Sequence, residues 1–264
     1  AAALASSALW ALTSVMLASQ AGRVPPLVMS AIRSFTASLV LVGILVATAG
    51  LAQYGEMTFI TGISMMGSGI MGQALGDTLY INALGNLGVT RTFPITNSAY
   101  PFITFILAVV LLGEDVTWTL PLGGALIVAG ITWIVLAQRR ADAAADVKVD
   151  LVRGLVFAIA AATAWATATV WLRGQQGDLD AIGAATLRIP AASAAPIATL
   201  ALTSNVRAAP LKLPMPPSIA MIAMAGVLGT GIGSILFIYA VEDIGAARTA
   251  FLTTSAPVFA IPMG

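Results

Sequence analysis

Asp77 is the side chain whose type and position most directly suggest chemistry. It follows a run without charges, Met57–Gly76, and precedes Tyr80 by about one helical turn. An ionisable group at membrane depth is costly and faces a cavity or a partner. There a carboxylate can hold an amine or take up and release a proton. The competing reading ends the helix early and leaves Asp77 at the interface. Gln73, Asn82, Thr96, Asn97 and Ser98 add uncharged polarity. Gln73 and Asn97 can orient a carboxylate or an amide, while Thr96 and Ser98 are expected to bond between helices, at about 1 kcal/mol each.

The aromatic residues Trp10, Tyr80, Tyr100, Trp165, Trp171 and Tyr239 are the material of a pocket that is mainly apolar with few polar groups. Trp10 and Trp165 fall in the middle of apolar runs, and Tyr80 and Tyr239 offer both a ring face and a hydroxyl. Core packing uses the same residue types and competes evenly for Trp10, Trp165, Tyr80 and Tyr100, and an interfacial belt competes for Trp118 and Trp171. The candidate substrate contacts are therefore Trp10, Gln73, Asp77, Tyr80, Asn97, Tyr100, Trp165 and Tyr239. Arg33 and Arg188 stand near the starts of apolar runs, where long cationic side chains are expected to snorkel to the headgroups; the alternative is a pair guarding a cavity mouth. Arg91 and Arg248 are read in the same way.

Other chemistries are poorly served. The chain has no Cys and no His, which removes disulfides, thiolates and the common zinc motifs. It contains neither HExxH nor GxSxG, and Lys148 and Lys212 fall in predicted loops, away from any buried serine. No catalytic constellation, metal site or cofactor is expected, so the chain is not read as an enzyme. A net charge of +1 gives no footprint for nucleic acid.

The elements that must position these residues are membrane spans. Hydrophobic residues make up 59% and charged residues 9% of the chain, against about a quarter charged in soluble domains. Nine stretches lack Asp, Glu, Lys and Arg: Ala1–Gly22, Ser34–Gly55, Met57–Gly76, Thr92–Gly113, Val116–Gln138, Gly154–Leu172, Ile189–Val206, Leu213–Val241 and Thr249–Gly264. Each crosses or nearly crosses the hydrocarbon, where backbone polarity forces helix. The fold class is an all-α polytopic membrane protein. Breakers mark the short connections, as in Val24-Pro25-Pro26, Gly113-Glu114-Asp115 and Pro214-Met215-Pro216-Pro217. The first stretch has the look of a signal peptide, but it belongs to a repeat.

At an offset of 155, Trp10, Val15, Leu17, Gln20, Gly22 and Arg33 fall on Trp165, Val170, Leu172, Gln175, Gly177 and Arg188. At 157, Gly69, Gly72, Gly76, Gly88, Arg91, Thr92, Thr96, Ser98 and Ala99 fall on Gly226, Gly229, Gly233, Gly245, Arg248, Thr249, Thr253, Ser255 and Ala256. The unit has five spans, near 2–20, 27–49, 57–83, 90–112 and 118–138. An odd number starts the second copy from the opposite side of the membrane, and inverted repeats of this kind characterise secondary transporters, with the substrate site at the midplane. The expected organisation is a first repeat over 1–140, a polar connection over 141–150 and a second repeat over 151–264 that lacks its last helix. Ten helices are thus expected, with about nine in this chain. Gly72-xxx-Gly76 recurs as Gly229-xxx-Gly233, a pattern that permits close helix approach. Pro94, Pro101, Pro190, Pro196 and Pro257 fall inside predicted spans and can kink them.

These residues resemble the EamA-type family of the drug/metabolite transporter superfamily. The first helix of each half carries Ala8-Leu9-Trp10-Ala11 or Ala164-Trp165-Ala166, and the second has Arg33 or Arg188 near its start. The third ends Gly76-Asp77-Thr78-Leu79-Tyr80 or Gly233-Ser234-Ile235-Leu236-Phe237, and the fourth holds Pro101 or Pro257 and, in the first half, closes on Leu112-Gly113-Glu114. Tyr100 stands where many relatives carry an acidic residue. The resemblance covers essentially the whole chain. It implies two inverted five-helix repeats and alternating access around a central cavity. The implied cargo is a small metabolite such as an amino acid, exported across a bacterial inner membrane; the mid-span aromatics with few charges point to an amphipathic one, with an aromatic amino acid among the options. Nucleotide-sugar, sugar-phosphate or drug transport on the same fold, or a channel-like facilitator, are the alternatives. The expected partners are the small-molecule substrate and the lipid bilayer, with proton or exchange coupling open. Both termini are expected in the cytoplasm, which puts Arg139, Arg140 and Lys148 outside, against the positive-inside tendency.

Overall fold

In lipid, a backbone that must satisfy its own polar groups folds as helix, and helices are the only regular structure of the described residues. The computed structural model describes residues 1–20, 23–48, 50–87, 89–115, 151–204 and 215–255, with scattered positions between 122 and 133. The first half supplies α1 (Ala2–Ala18), α2 (Pro26–Ala47), the short α3 (Gln53–Glu56), α4 (Phe59–Gly69), α5 (Asp77–Leu87) and α6 (Val89–Leu112). The second supplies α7 (Leu151–Gln175), α8 (Ala181–Ser204), α9 (Pro216–Ala225), α10 (Gly233–Ile244) and α11 (Ala246–Thr253). A π-helical turn, Ile70–Gly76, joins α4 to α5, and its repeat counterpart, Gly226–Ile232, joins α9 to α10. Each of these trios is one long, locally widened helix. The expected fifth span lies almost wholly outside the described residues, as do the connection 141–150 and Pro257.

Five of the described helices are long and apolar enough to cross a membrane: Leu27–Ala47, Arg91–Leu112, Val152–Gln175, Ala181–Leu202 and Pro216–Ile244. The surface is apolar. Phe59 is 80% and Val110 72% exposed, while Ser6, Ser68, Thr92, Thr96, Thr104 and Thr249 are wholly buried. That arrangement suits a hydrocarbon solvent, and the chain is a helical polytopic membrane protein. The expected spans 27–49 and 57–83 agree closely with the helices, while the charge-free stretches alone are too short. α2 and α8 each begin about two turns before the stretches Ser34–Gly55 and Ile189–Val206, because Arg33 and Arg188 are inside helices. The third helix runs on through Asp77 to Leu87, so the reading that ends it before Asp77 does not hold.

The two halves pack reciprocally. α1 lies on α10 and its π turn, while α7 lies on α5 and its π turn; α2 and α8 cross each other, and α6 meets both α7 and α11. Glycines set the distances. A Cβ on Gly69 would overlap the backbone carbonyl of Arg188, and one on Gly226 would overlap the backbone carbonyl of Arg33. One turn or two further on, a Cβ on Gly76 would stand 2.6 Å from the Trp165 ring and one on Gly233 3.0 Å from Trp10 Nε1. The same helix thus crosses the same two helices of the other half in both copies.

One end of the bundle is tied together by polar contacts between the halves. The Glu114 carboxylate, just past α6, accepts from the first N–H groups of α11, Ala246 at 2.7 Å and Ala247 at 3.1 Å. An acid at a helix N-terminus is favourably placed for the unpaired N–H groups and the helix dipole. Gly245, at φ 86°, makes the sharp entry that aims those groups at it. Tyr54 donates to Gly183 O at 3.0 Å, the Asp180 N–H donates to Gln53 Oε1 at 3.1 Å, and both tie α3 to the start of α8.

The crossings make a stability prediction. Gly69→Ala and Gly226→Ala should each lower the thermal midpoint of the purified protein in detergent, in line with an overpacking cost of about 1–3 kcal/mol. Gly43→Ala, which would meet nothing within 4 Å, should leave the midpoint unchanged or raise it. Equal behaviour of the three variants would remove the glycines from the architecture.

Candidate functional site

A cavity of about 530 Å³ lies between the halves and draws its walls from both, within the size range of small-molecule sites. Helical spacing explains who faces it. Trp10, Thr13, Ser14 and Leu17 form one stripe of α1, and Phe93, Thr96, Asn97 and Tyr100 form the matching stripe of α6, each at i, i+3, i+4 and i+7. Gln73, Asp77 and Tyr80 come from the first widened helix, and Thr230, Ser234 and Phe237 from the second. α7 adds Trp165, Ala168 and Thr169, α2 adds Arg33 and α8 adds Arg188.

Asp77 is the polar centre of the first-half side. Arg33 Nη2 donates to its Oδ2 at 3.0 Å, and Trp165 Nε1 donates to its Oδ1 at 3.1 Å. The carboxylate is thus held by its own half through Arg33 and by the other half through Trp165. Arg33 Nε is buried and has no partner among the described residues. The Tyr80 ring lies tilted on Trp165 with centroids 5.3 Å apart, and Phe237 lies on Trp10 at the same 5.3 Å. Tyr80 and Phe237 are repeat counterparts, as are the two tryptophans, so the cavity carries two symmetry-related aromatic pairs, each formed by one ring from either half. The Trp10 Nε1 donates at 3.0 Å to Gly229 O, a carbonyl of the π turn. Tyr100 and Thr169 join α6 to α7 by a 3.1 Å hydroxyl–hydroxyl bond. Arg188, 6% exposed, donates from Nη1 to Ser68 Oγ of the opposite half.

Seven of the eight sequence candidates line the cavity: Trp10, Gln73, Asp77, Tyr80, Asn97, Tyr100 and Trp165. Gln73 makes no side-chain hydrogen bond among the described residues, and Asn97 donates to its own helix at Phe93 O. Tyr239 is not brought in. It is 54% exposed on the outer face of α10, two residues past Phe237, which takes the inward place. The larger correction concerns Arg33 and Arg188. Neither snorkels to an interface; both line the cavity from about two turns inside their helices. The repeat itself held the signal, since both arginines recur at one register and each faces a glycine of the opposite half. Arg248 is exposed at the start of α11.

The Arg33–Asp77 pair predicts a coupling. Arg33→Gln and Asp77→Asn should each lower the thermal midpoint, and the double variant should fall short of the sum by about 0.5–3 kcal/mol, because either single change strands a charge inside the bundle. Additive losses in a double-mutant cycle would show that the pair is not a stabilising contact.

The model of the EamA-like transporter family matches residues 1–136 and 152–264. Among solved structures, one titled only "Crystal structure of protein" superposes with a TM-score of 0.79 at 18% identity, over 99% of this chain and 85% of that one; it shares the fold. No curated protein sequence matches the chain. Matched over nearly all its length, the chain belongs to the EamA-like transporter family and is a membrane transporter of small solutes.

Proposed function

We propose that the protein is a secondary transporter that exports a small amphipathic metabolite, in the first place an amino acid with an aromatic side chain, across a bacterial inner membrane. The observation that carries this reading is the cavity shared by both halves, with two aromatic pairs, each formed across the halves, and few charges among its described residues. Aromatic faces bind a flat apolar body, and the sparse polar groups orient its head.

The reciprocal packing supports alternating access. Because each half clasps the other through the same helices, a swap of the two halves' conformations converts a bundle tied at one end into one tied at the other. Glu114, Gln53 and Tyr54 supply the ties of the end described here. The domain division into repeats over 1–140 and 151–264 belongs to the same proposal. Exchange of one solute for another needs no ion. Proton coupling would have to run through Asp77, the acid among the charged groups of the cavity wall, and would have to release Arg33.

Counterflow in proteoliposomes tests the reading. Vesicles preloaded with phenylalanine should accelerate entry of the labelled amino acid, and Trp165→Ala should reduce that entry about tenfold or more at equal protein level with its fold intact, as expected when an aromatic contact and a carboxylate partner go together. Unchanged entry in Trp165→Ala would remove Trp165 from the binding wall. If Asp77→Asn and wild type respond identically to an imposed pH gradient, Asp77 carries no proton.

A further inference from the structure

The two copies of the repeat are alike in their aromatic residues and unlike in charge. In the first, Arg33 faces Asp77 one helix away, and Trp165 completes the carboxylate's shell. In the second, the counterpart of Arg33 is Arg188, the counterpart of Trp165 is Trp10, and the counterpart of Asp77 is Ser234. All three line the same cavity. The second arrangement therefore has the cation and, from the other half, the indole, but lacks the acid. Arg188 has no carboxylate partner among the described residues and rests on the neutral Ser68 hydroxyl. Trp10, with no acid to meet, donates to the Gly229 carbonyl.

Among the described residues of the wall, the charged ones are Arg33 and Arg188 against Asp77. Asp77 is taken by Arg33 at 3.0 Å, which leaves a net positive charge at Arg188. A buried guanidinium away from bulk water is costly until an anion meets it, and its planar fork suits a carboxylate. Resting on the transport reading above, we infer that the cargo bears a carboxylate that binds Arg188 and fills, in the second half, the place Asp77 fills in the first. The aromatic pairs then hold the apolar body of the cargo. The missing acid leaves a cation in excess among the described residues of the wall, and an aspartate at 234, in that same wall, would supply the opposing charge without a ligand.

Isothermal titration of the full-length protein in detergent tests this with probes that differ only in charge: 3-phenylpropionate, indole-3-propionate and hexanoate, each against its own amide. Wild type should bind at least one carboxylate about tenfold or more tighter than its amide, the usual scale for a charge-assisted contact. Arg188→Gln should erase the preference, and Arg188→Lys should restore part of it. Ser234→Asp should abolish carboxylate binding while its thermal midpoint holds or rises, a combination that misfolding would not produce. The inference is overturned if carboxylate and amide bind alike, if no carboxylate binds, if Arg188→Gln keeps the preference, or if Ser234→Asp binds carboxylates as wild type does. Its failure is separable from that of the transport reading. Carboxylate-selective binding without counterflow would sink the carrier and keep the site. Counterflow of a neutral or cationic solute would do the reverse.

Discussion

The structure depends on how closely the third helix of each half approaches the second helix of the other. Gly69 lies against the backbone of Arg188 and Gly226 against that of Arg33, at distances no side chain would allow. In lipid the apolar solvent gives little push toward association, so helices join through van der Waals fit and polar contacts, and small residues are what allow the fit. Close approach here fixes more than stability. It holds the two arginines at the crossings, from which both side chains enter the cavity. It also precedes the π turns, which begin at the next residue or at the glycine itself. Such turns widen the helix and leave carbonyls to be met from outside; Trp10 meets one of them at Gly229.

From this symmetric frame the cavity departs in one respect. Its aromatic pairs repeat with the same spacing, but Asp77 has Ser234 for a counterpart. The frame's symmetry suits a machine whose two states are mirror arrangements of the same contacts, since each state can reuse the other's packing. The departure suits binding, which needs an oriented site and gains nothing from a duplicate. On the proposed mechanism labour divides: glycines and reciprocal helices serve movement, while Asp77, Arg33 and Arg188 give the cavity its polarity.

Much of the frame was legible in the sequence because the residues that build it are rare ones. Matched Trp, Arg and Gly in register reveal the repeat, and the odd number of spans read in it is what leads to the expected inversion. Charge-free stretches alone cut α2, α8 and the third helix short, whereas the repeat puts spans at 27–49 and 57–83, which contain Arg33 and Asp77 as the helices do. A charge is tolerated inside them because one face borders a polar cavity. Nearness to the start of an apolar run is what points both arginines to the headgroups. Tyr239 was chosen by residue type alone. Counting helical positions from Ser234 puts Phe237 and Ile238 on the inward face and Tyr239 beyond it, so register could have excluded it.

The central claim is that one cavity serves both sides of the membrane in turn. The chain has no cysteine, so single reporters can be introduced without a background. Ser14 is an exposed residue of the cavity wall on the side away from Glu114, whereas Ile238 is buried in the wall on the side of the tied end. Reaction of Ser14→Cys and Ile238→Cys with a membrane-impermeant maleimide, added from one side at a time to oriented vesicles, reads access directly. The account predicts that each position reacts from its own side only, and that saturating substrate changes the two rates in opposite directions. Labelling of both positions from a single side, unaffected by substrate, would contradict it and point to a continuous pore.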